Sequence, residues 1–61
     1  MINQRVTIKD IDSVKEKYRS KKATVLSEHR NKKNIAISAV ISVDGIGDIV
    51  SIFASQLEEN L

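Results

Sequence analysis

The sequence predicts a small α+β domain in the order strand–helix–strand–helix, and three observations carry that expectation. Polar and apolar residues alternate with period two over residues 5–9 and again over 35–43, the pattern of strands with one buried face. Apolar residues recur at three- and four-residue spacing along 11–29, and again from Ile46 to Leu61, the pattern of amphipathic helices. The chain has 61 residues, 41% of them hydrophobic, and no cysteine to staple it. A core this small is marginal by itself. Self-association, as a dimer or larger, is the route left to it.

In the first strand, Val6 and Ile8 face inward and Arg5, Thr7 and Lys9 outward. Asp10 and Asp12 precede Ser13-Val14-Lys15-Glu16, which fits a Ser-x-x-Glu capping box at a helix start. That helix runs to about His29, with Ile11, Val14, Tyr18 and Val25 on its apolar side, because Lys, Arg, Ala, Leu and Glu dominate it. Its second half has an alternative: 23–27 as a strand, paired through a hairpin across 30–34. Over 35–43, Ile35, Ile37, Ala39, Ile41 and Val43 form one apolar face, and Ala36, Ser38, Val40 and Ser42 a small mixed one. This segment reads as a strand ahead of a helix. Asp44-Gly45-Ile46-Gly47-Asp48 is a turn whose glycines permit angles other residues resist. Ile46, Ile49, Val50, Phe53, Leu57 and Leu61 then form the stripe of the last helix. Ile41, Ile49, Ile52, Phe53 and Leu57 are the expected oligomer interface.

Charge is segregated along the chain. All ten Lys and Arg lie between Arg5 and Lys33, against four carboxylates, so the first half is formally +6. The remainder carries Asp44, Asp48, Glu58 and Glu59 and is −4. On the expected helix, Lys15, Arg19 and Lys22 flank one side of the apolar stripe, and Lys17 and Lys21 the other. Like charges four apart cost a helix about 0.2–0.5 kcal/mol per pair, so these cations suit an external anion such as a phosphate backbone. Long cationic stems lying over the core edge give the same pattern. Arg30, Lys32 and Lys33 form a second basic group in the expected loop.

Arg5, Thr7 and Lys9 on one strand face resemble the DNA-reading strand of ribbon-helix-helix repressors. The resemblance covers about five residues, and it implies an alternative fold, ribbon-helix-helix-like with an extra C-terminal helix. The β-branched, alternating 35–43 segment departs from that pattern.

Catalytic and metal chemistry is poorly supplied. His29 is the one histidine, and there is no thiol, so a structural zinc site lacks ligands. Gly45-Ile46-Gly47 lacks the rest of any nucleotide fingerprint. Tyr18 and Phe53 are the only aromatics, too few for a base-stacking platform. The expectation is a non-enzymatic regulator without metal or cofactor. It binds nucleic acid through Arg5, Thr7, Lys9, Lys15, Lys17, Arg19, Lys21, Lys22, Arg30, Lys32 and Lys33. The alternative is a small inhibitor or sequestering protein that binds a host protein or an anionic nucleotide. Absence of cysteine and of an apolar leader fits the cytoplasm. Asp44 and Asp48 interrupt the apolar 35–57 stretch, against a membrane span.

Overall fold

A computed structural model describes residues 2–59. Its architecture is all-β: a five-stranded antiparallel sheet in the order β4-β3-β2-β1-β5. The strands are β1 (Arg5–Ile8), β2 (Lys22–Arg30), β3 (Ala36–Val43), β4 (Ile49–Phe53) and β5 (Leu57–Glu59). The only helical elements among the described residues are two three-residue 3-10 turns, Glu16–Tyr18 and Ala54–Gln56. The α+β expectation is therefore overturned, and the ribbon-helix-helix alternative with it, since neither long helix exists.

The first expected helix is replaced by a long loop, 9–21, followed by β2. Ala23 and Val25 are fully buried while Lys22 and Thr24 point out, so the period-two pattern wins over helix propensity there. No capping box forms: Ser13 instead accepts a hydrogen bond from Gln56. The hairpin across 30–34 is real. Asn31 N–H donates to the Ile35 carbonyl at 3.0 Å, the Asn31 side chain accepts from Lys33 and Ile35, and Asn34 takes the left-handed conformation at φ 63°. The last expected helix is also corrected, to β4, a 3-10 turn and β5. Four of the five β4 residues, Ile49, Val50, Ile52 and Phe53, are β-branched or aromatic, and these fit a pleated surface better than a helix. Leu61 of the expected stripe lies outside the described residues.

The connection between β4 and β5 sets the shape of the sheet. Phe53 and Leu57 are four residues apart, a reach of at most about 14 Å. Flat strands at about 4.8 Å spacing would put the outer two of five about 19 Å apart. The sheet must curl, and its concave face closes on one core of Val6, Ile8, Val14, Tyr18, Ala23, Val25, Ala39, Ile41, Val43, Ile52 and Leu57. Cross-strand register aligns these residues: Val6 with Ala23, Ala23 with Val43, Val25 with Ile41, Ala39 with Ile52, and Ile8 with Leu57. A bulge at Leu26 shifts the β2 register and leaves that side chain 41% exposed. Beyond it, Ser27 rather than Leu26 opposes Val40. At the β3–β4 turn, Gly45 and Gly47 adopt φ of 78° and 77°, and Gly47 N–H donates to the Val43 carbonyl at 3.0 Å.

Candidate binding groove and edge strand

The sheet ends at β4 on one side, and the geometry of its turn shows which backbone groups stay unpaired by β3. Val43 N–H donates to the Asp48 carbonyl at 2.9 Å. The carbonyl of the 48–49 peptide thus points at β3, and the N–H of Ile49, on the opposite side of the same planar unit, points away. Antiparallel alternation repeats this at Ser51 and Phe53. Phe53 N–H accordingly finds its acceptor outside the ladder, the Gln56 side-chain oxygen at 3.1 Å. Ile49 and Ser51 present both an N–H and a carbonyl to the open edge, whereas the Phe53 carbonyl accepts from Gln56 N–H in the 3-10 turn that Phe53 caps.

Beside this edge lies an open groove of about 550 Å³, with Val14, Tyr18, Val50, Ile52 and Phe53 for apolar walls and Ser13, Lys15, Ser38, Ser51 and Gln56 for polar ones. Its far wall is the 9–21 loop, held in place by side-chain bonds. Arg19 Nε donates to the carbonyls of Ile11 (3.0 Å) and Val14 (2.9 Å). Buried Gln56 donates to the Ser13 carbonyl (3.2 Å) and hydroxyl (3.0 Å). Tyr18 buries its ring and donates its hydroxyl to Asp48 at 2.8 Å, joining the loop to the β3–β4 turn. Lys17 Nζ sits 3.3 Å from the same carboxylate and 4.9 Å over the Tyr18 ring. The Tyr18 hydroxyl, and then Lys17, hold the Asp48 carboxyl below its ordinary range; Lys17 is raised, by the Tyr18 hydroxyl first and then by Asp48.

No histidine or carboxylate lines the groove. Of its hydroxyls, that of Tyr18 donates to the Asp48 carboxylate, which stands outside the lining. Among the described residues, no cluster of histidine and carboxylate side chains is arranged to hold a metal ion.

The basic residues are dispersed by this fold. The like-charge rows expected along a helix do not form, because 15–22 spans a loop, a 3-10 turn and the first residue of β2. Four of the cations are engaged internally. Arg5 pairs with Asp44 through two guanidinium nitrogens and donates to Thr24 Oγ1 at 2.8 Å, holding Asp44 below its ordinary range. Lys17 and Arg19 brace the loop as described. Arg30 donates to Glu28 at 2.8 Å and to the Asn34 carbonyl at 2.7 Å. Lys32 and Lys33 lie in the hairpin at the far end of β2, whose nine residues put about 27 Å between that hairpin and Lys21 and Lys22. Lys15 stands on the groove wall.

Lys9, Lys21 and Lys22 lie at the same end of the β1–β2 ladder as Thr7, with Lys21 and Lys22, as chain neighbours, directed to opposite faces. Ile8 N–H donates to the Lys21 carbonyl at 2.8 Å, and Thr7 opposes Lys22. Glu58 opposes Thr7 on the other side, and Asp44 feels Lys22, so acidic groups are interleaved with this basic group. Of the expected interface residues, Ile41, Ile52 and Leu57 lie in the core, whereas Ile49 and Phe53 are 65% and 62% exposed on β4.

Sequence reasoning assigned no site role to Ser13, Asp48, Ser51 or Gln56. The only signal for the edge was the run from Ile49 to Leu57 without a charge. No family model, no curated protein and no solved structure matches this chain. No helix among the described residues is long and apolar enough to cross a membrane.

Proposed function

We propose that this chain is a small non-enzymatic binding protein that captures an extended segment of a partner protein and sequesters it. The segment lies along β4 as a sixth strand, with alternate side chains entering the groove. One observation carries the reading: backbone groups of Ile49 and Ser51 that face away from β3 run beside a groove with apolar walls. In strand addition, main-chain bonds supply affinity and side pockets supply specificity. The groove volume lies within the range of about 300–1,000 Å³ common for ligand sites.

The test is selection of twelve-residue peptides from a random display library, followed by calorimetry with a selected peptide. Ser51→Pro removes the central edge donor, whose N–H faces away from the sheet, a place where proline is tolerated. The expected outcome is peptide binding that Ser51→Pro abolishes while the melting transition survives. Failure to enrich any peptide, or binding indifferent to Ser51→Pro, overturns the proposal.

A second reading, nucleic-acid binding, is favoured by the placement of Lys9, Lys21 and Lys22 at one end of the β1–β2 ladder. Three phosphate contacts would give a log–log salt slope of roughly −3 with mixed-sequence duplex. The interleaved Asp44 and Glu58 place it behind the first.

A further inference from the structure

We infer that the captured segment carries a side-chain carboxylate, Asp or Glu, among apolar groove-facing residues, and that Lys15 and the Ser13 hydroxyl receive it. This names the partner's chemistry and rests on the strand-addition reading above.

Lys15 is the one charged side chain in the groove lining. The cations that follow it in the loop are already engaged: Lys17 lies 3.3 Å from Asp48, and Arg19 donates to the loop carbonyls. Asp10, Asp12 and Glu16 belong to the same loop but do not line the groove, and Asp48 stands outside it with Lys17 against it. An anion entering the groove therefore meets an attracting charge and no carboxylate in the walls. A cationic side chain would meet Lys15 instead of a counter-charge.

The loop wall also has its acceptors engaged. The Ile11 and Val14 carbonyls accept from Arg19, the Ser13 carbonyl from Gln56, and the Lys15 carbonyl from Tyr18 N–H. Gln56 spends its amide on Phe53 N–H and on Ser13. The Ser13 hydroxyl accepts from Gln56 at 3.0 Å, which leaves its one proton to donate. Among the described residues, neither that proton nor the Lys15 ammonium has a partner. Ser13 and Lys15 both line the groove, and two residues apart they are separated by at most about 7 Å. A carboxylate can accept from both at once, in charge-assisted bonds.

The place of Lys15 selects a side chain over a chain terminus. Ser13 is tied to Gln56, beyond the end of β4, and Tyr18 to Asp48, before its start. Lys15 lies between these anchors, partway along the groove. A terminal carboxylate there would stop the segment before it had covered the edge, whereas a side-chain carboxylate lets the strand run on past Ile49 and Ser51. The walls of Val14, Tyr18, Val50, Ile52 and Phe53 suit apolar side chains at the neighbouring groove-facing positions, two residues away in an extended chain.

The test is the composition of the library-selected peptides, followed by calorimetry with one of them made with an amidated C-terminus. The peptides should share an Asp or Glu with an apolar residue two positions away. Replacing that acid by its amide should weaken binding to the parent on the order of tenfold. The same replacement should change binding to Lys15→Gln by less than about twofold, because the contact is already gone. Lys15→Glu should reject the acidic peptide and accept its lysine counterpart. The melting midpoint of Lys15→Gln should stay with the parent, which separates lost binding from lost fold. Selected peptides without a carboxylate, still abolished by Ser51→Pro, overturn the acidic partner and leave strand addition standing. Equal losses on the parent and on Lys15→Gln also overturn it, as does binding that only a free C-terminus supports. Binding that needs the carboxylate and Lys15 but ignores Ser51→Pro refutes strand addition while upholding the carboxylate contact.

Discussion

Replacing Gln56 by leucine removes three hydrogen bonds while nearly preserving side-chain volume. The amide accepts from Phe53 N–H at 3.1 Å and donates to the Ser13 carbonyl and hydroxyl at 3.2 and 3.0 Å. A buried neutral hydrogen bond contributes about 1 kcal/mol net. The full threefold loss does not apply, because Ser13 is exposed and Phe53 N–H lies at the open edge, so both regain water. The expected cost is therefore about 1–2 kcal/mol. Unfolding entropy of about 2.1 cal/mol/K per residue makes each kcal/mol worth about 8 °C in a chain of 61 residues. Thermal denaturation of Gln56→Leu should show a midpoint lower by about 8–16 °C with the transition still cooperative. Ser13→Ala should cost less than half of that, and the double variant should cost little more than Gln56→Leu alone, because both remove one shared contact. Strict additivity, or a Gln56→Leu midpoint equal to the parent, would refute the clamp.

Three further outcomes follow from the same contacts. Asp44 and Asp48 are held below their ordinary 3.8, so the stability they contribute is present above that value and is lost as pH falls below it, through their lowered folded-state range. The melting midpoint should be level near neutrality and drop below about pH 4, and the drop should shrink in Asp44→Asn and Asp48→Asn. Arg19→Gln, which strips the loop of its bonds to Ile11 and Val14, should destabilise by about 1–2 kcal/mol; Lys15→Gln should stay within about 0.5 kcal/mol on the same denaturant titration. Gly47→Val should cost about 1–2 kcal/mol from backbone strain alone, since φ is 77° and a Cβ there meets nothing within 4 Å.

The alternating segments were legible because period two needs no tertiary context. Val6 and Ile8 are buried as their spacing implies, and so are Ala39, Ile41 and Val43. The inward face of β3 frays at its start: Ile35 and Ile37 are 57% and 40% exposed beside the hairpin. Gly45 and Gly47 marked a turn correctly. The helices were misread for two different reasons. Between 13 and 22, Lys, Arg and Glu raise helix propensity by tenths of a kcal/mol per residue, a small bias beside a loop anchored at Tyr18, Arg19 and Gln56. Between 46 and 57, three-and-four spacing coincided with β4 because both faces of that strand are apolar, and a short apolar run has no reliable period. The groove was not legible. It joins Ser13 to Gln56 and Tyr18 to Asp48, pairs 43 and 30 positions apart that no local pattern connects.

The place of β1 between β2 and β5 has a kinetic consequence. The β2–β3 and β3–β4 hairpins close over short turns, whereas joining Val6 to Glu59 closes a loop of about fifty residues. Closure entropy grows with the logarithm of length, so this tenfold longer loop costs about 2 kcal/mol more than a hairpin turn. The three-strand meander can form early, but the N-terminal strand and the C-terminal strand have to find each other across the whole chain. The last ladder to form is also short, three residue pairs along β5. In native hydrogen exchange the β1–β5 amides should open at lower free energy than those shared by β2 and β3, making that seam the place where unfolding begins.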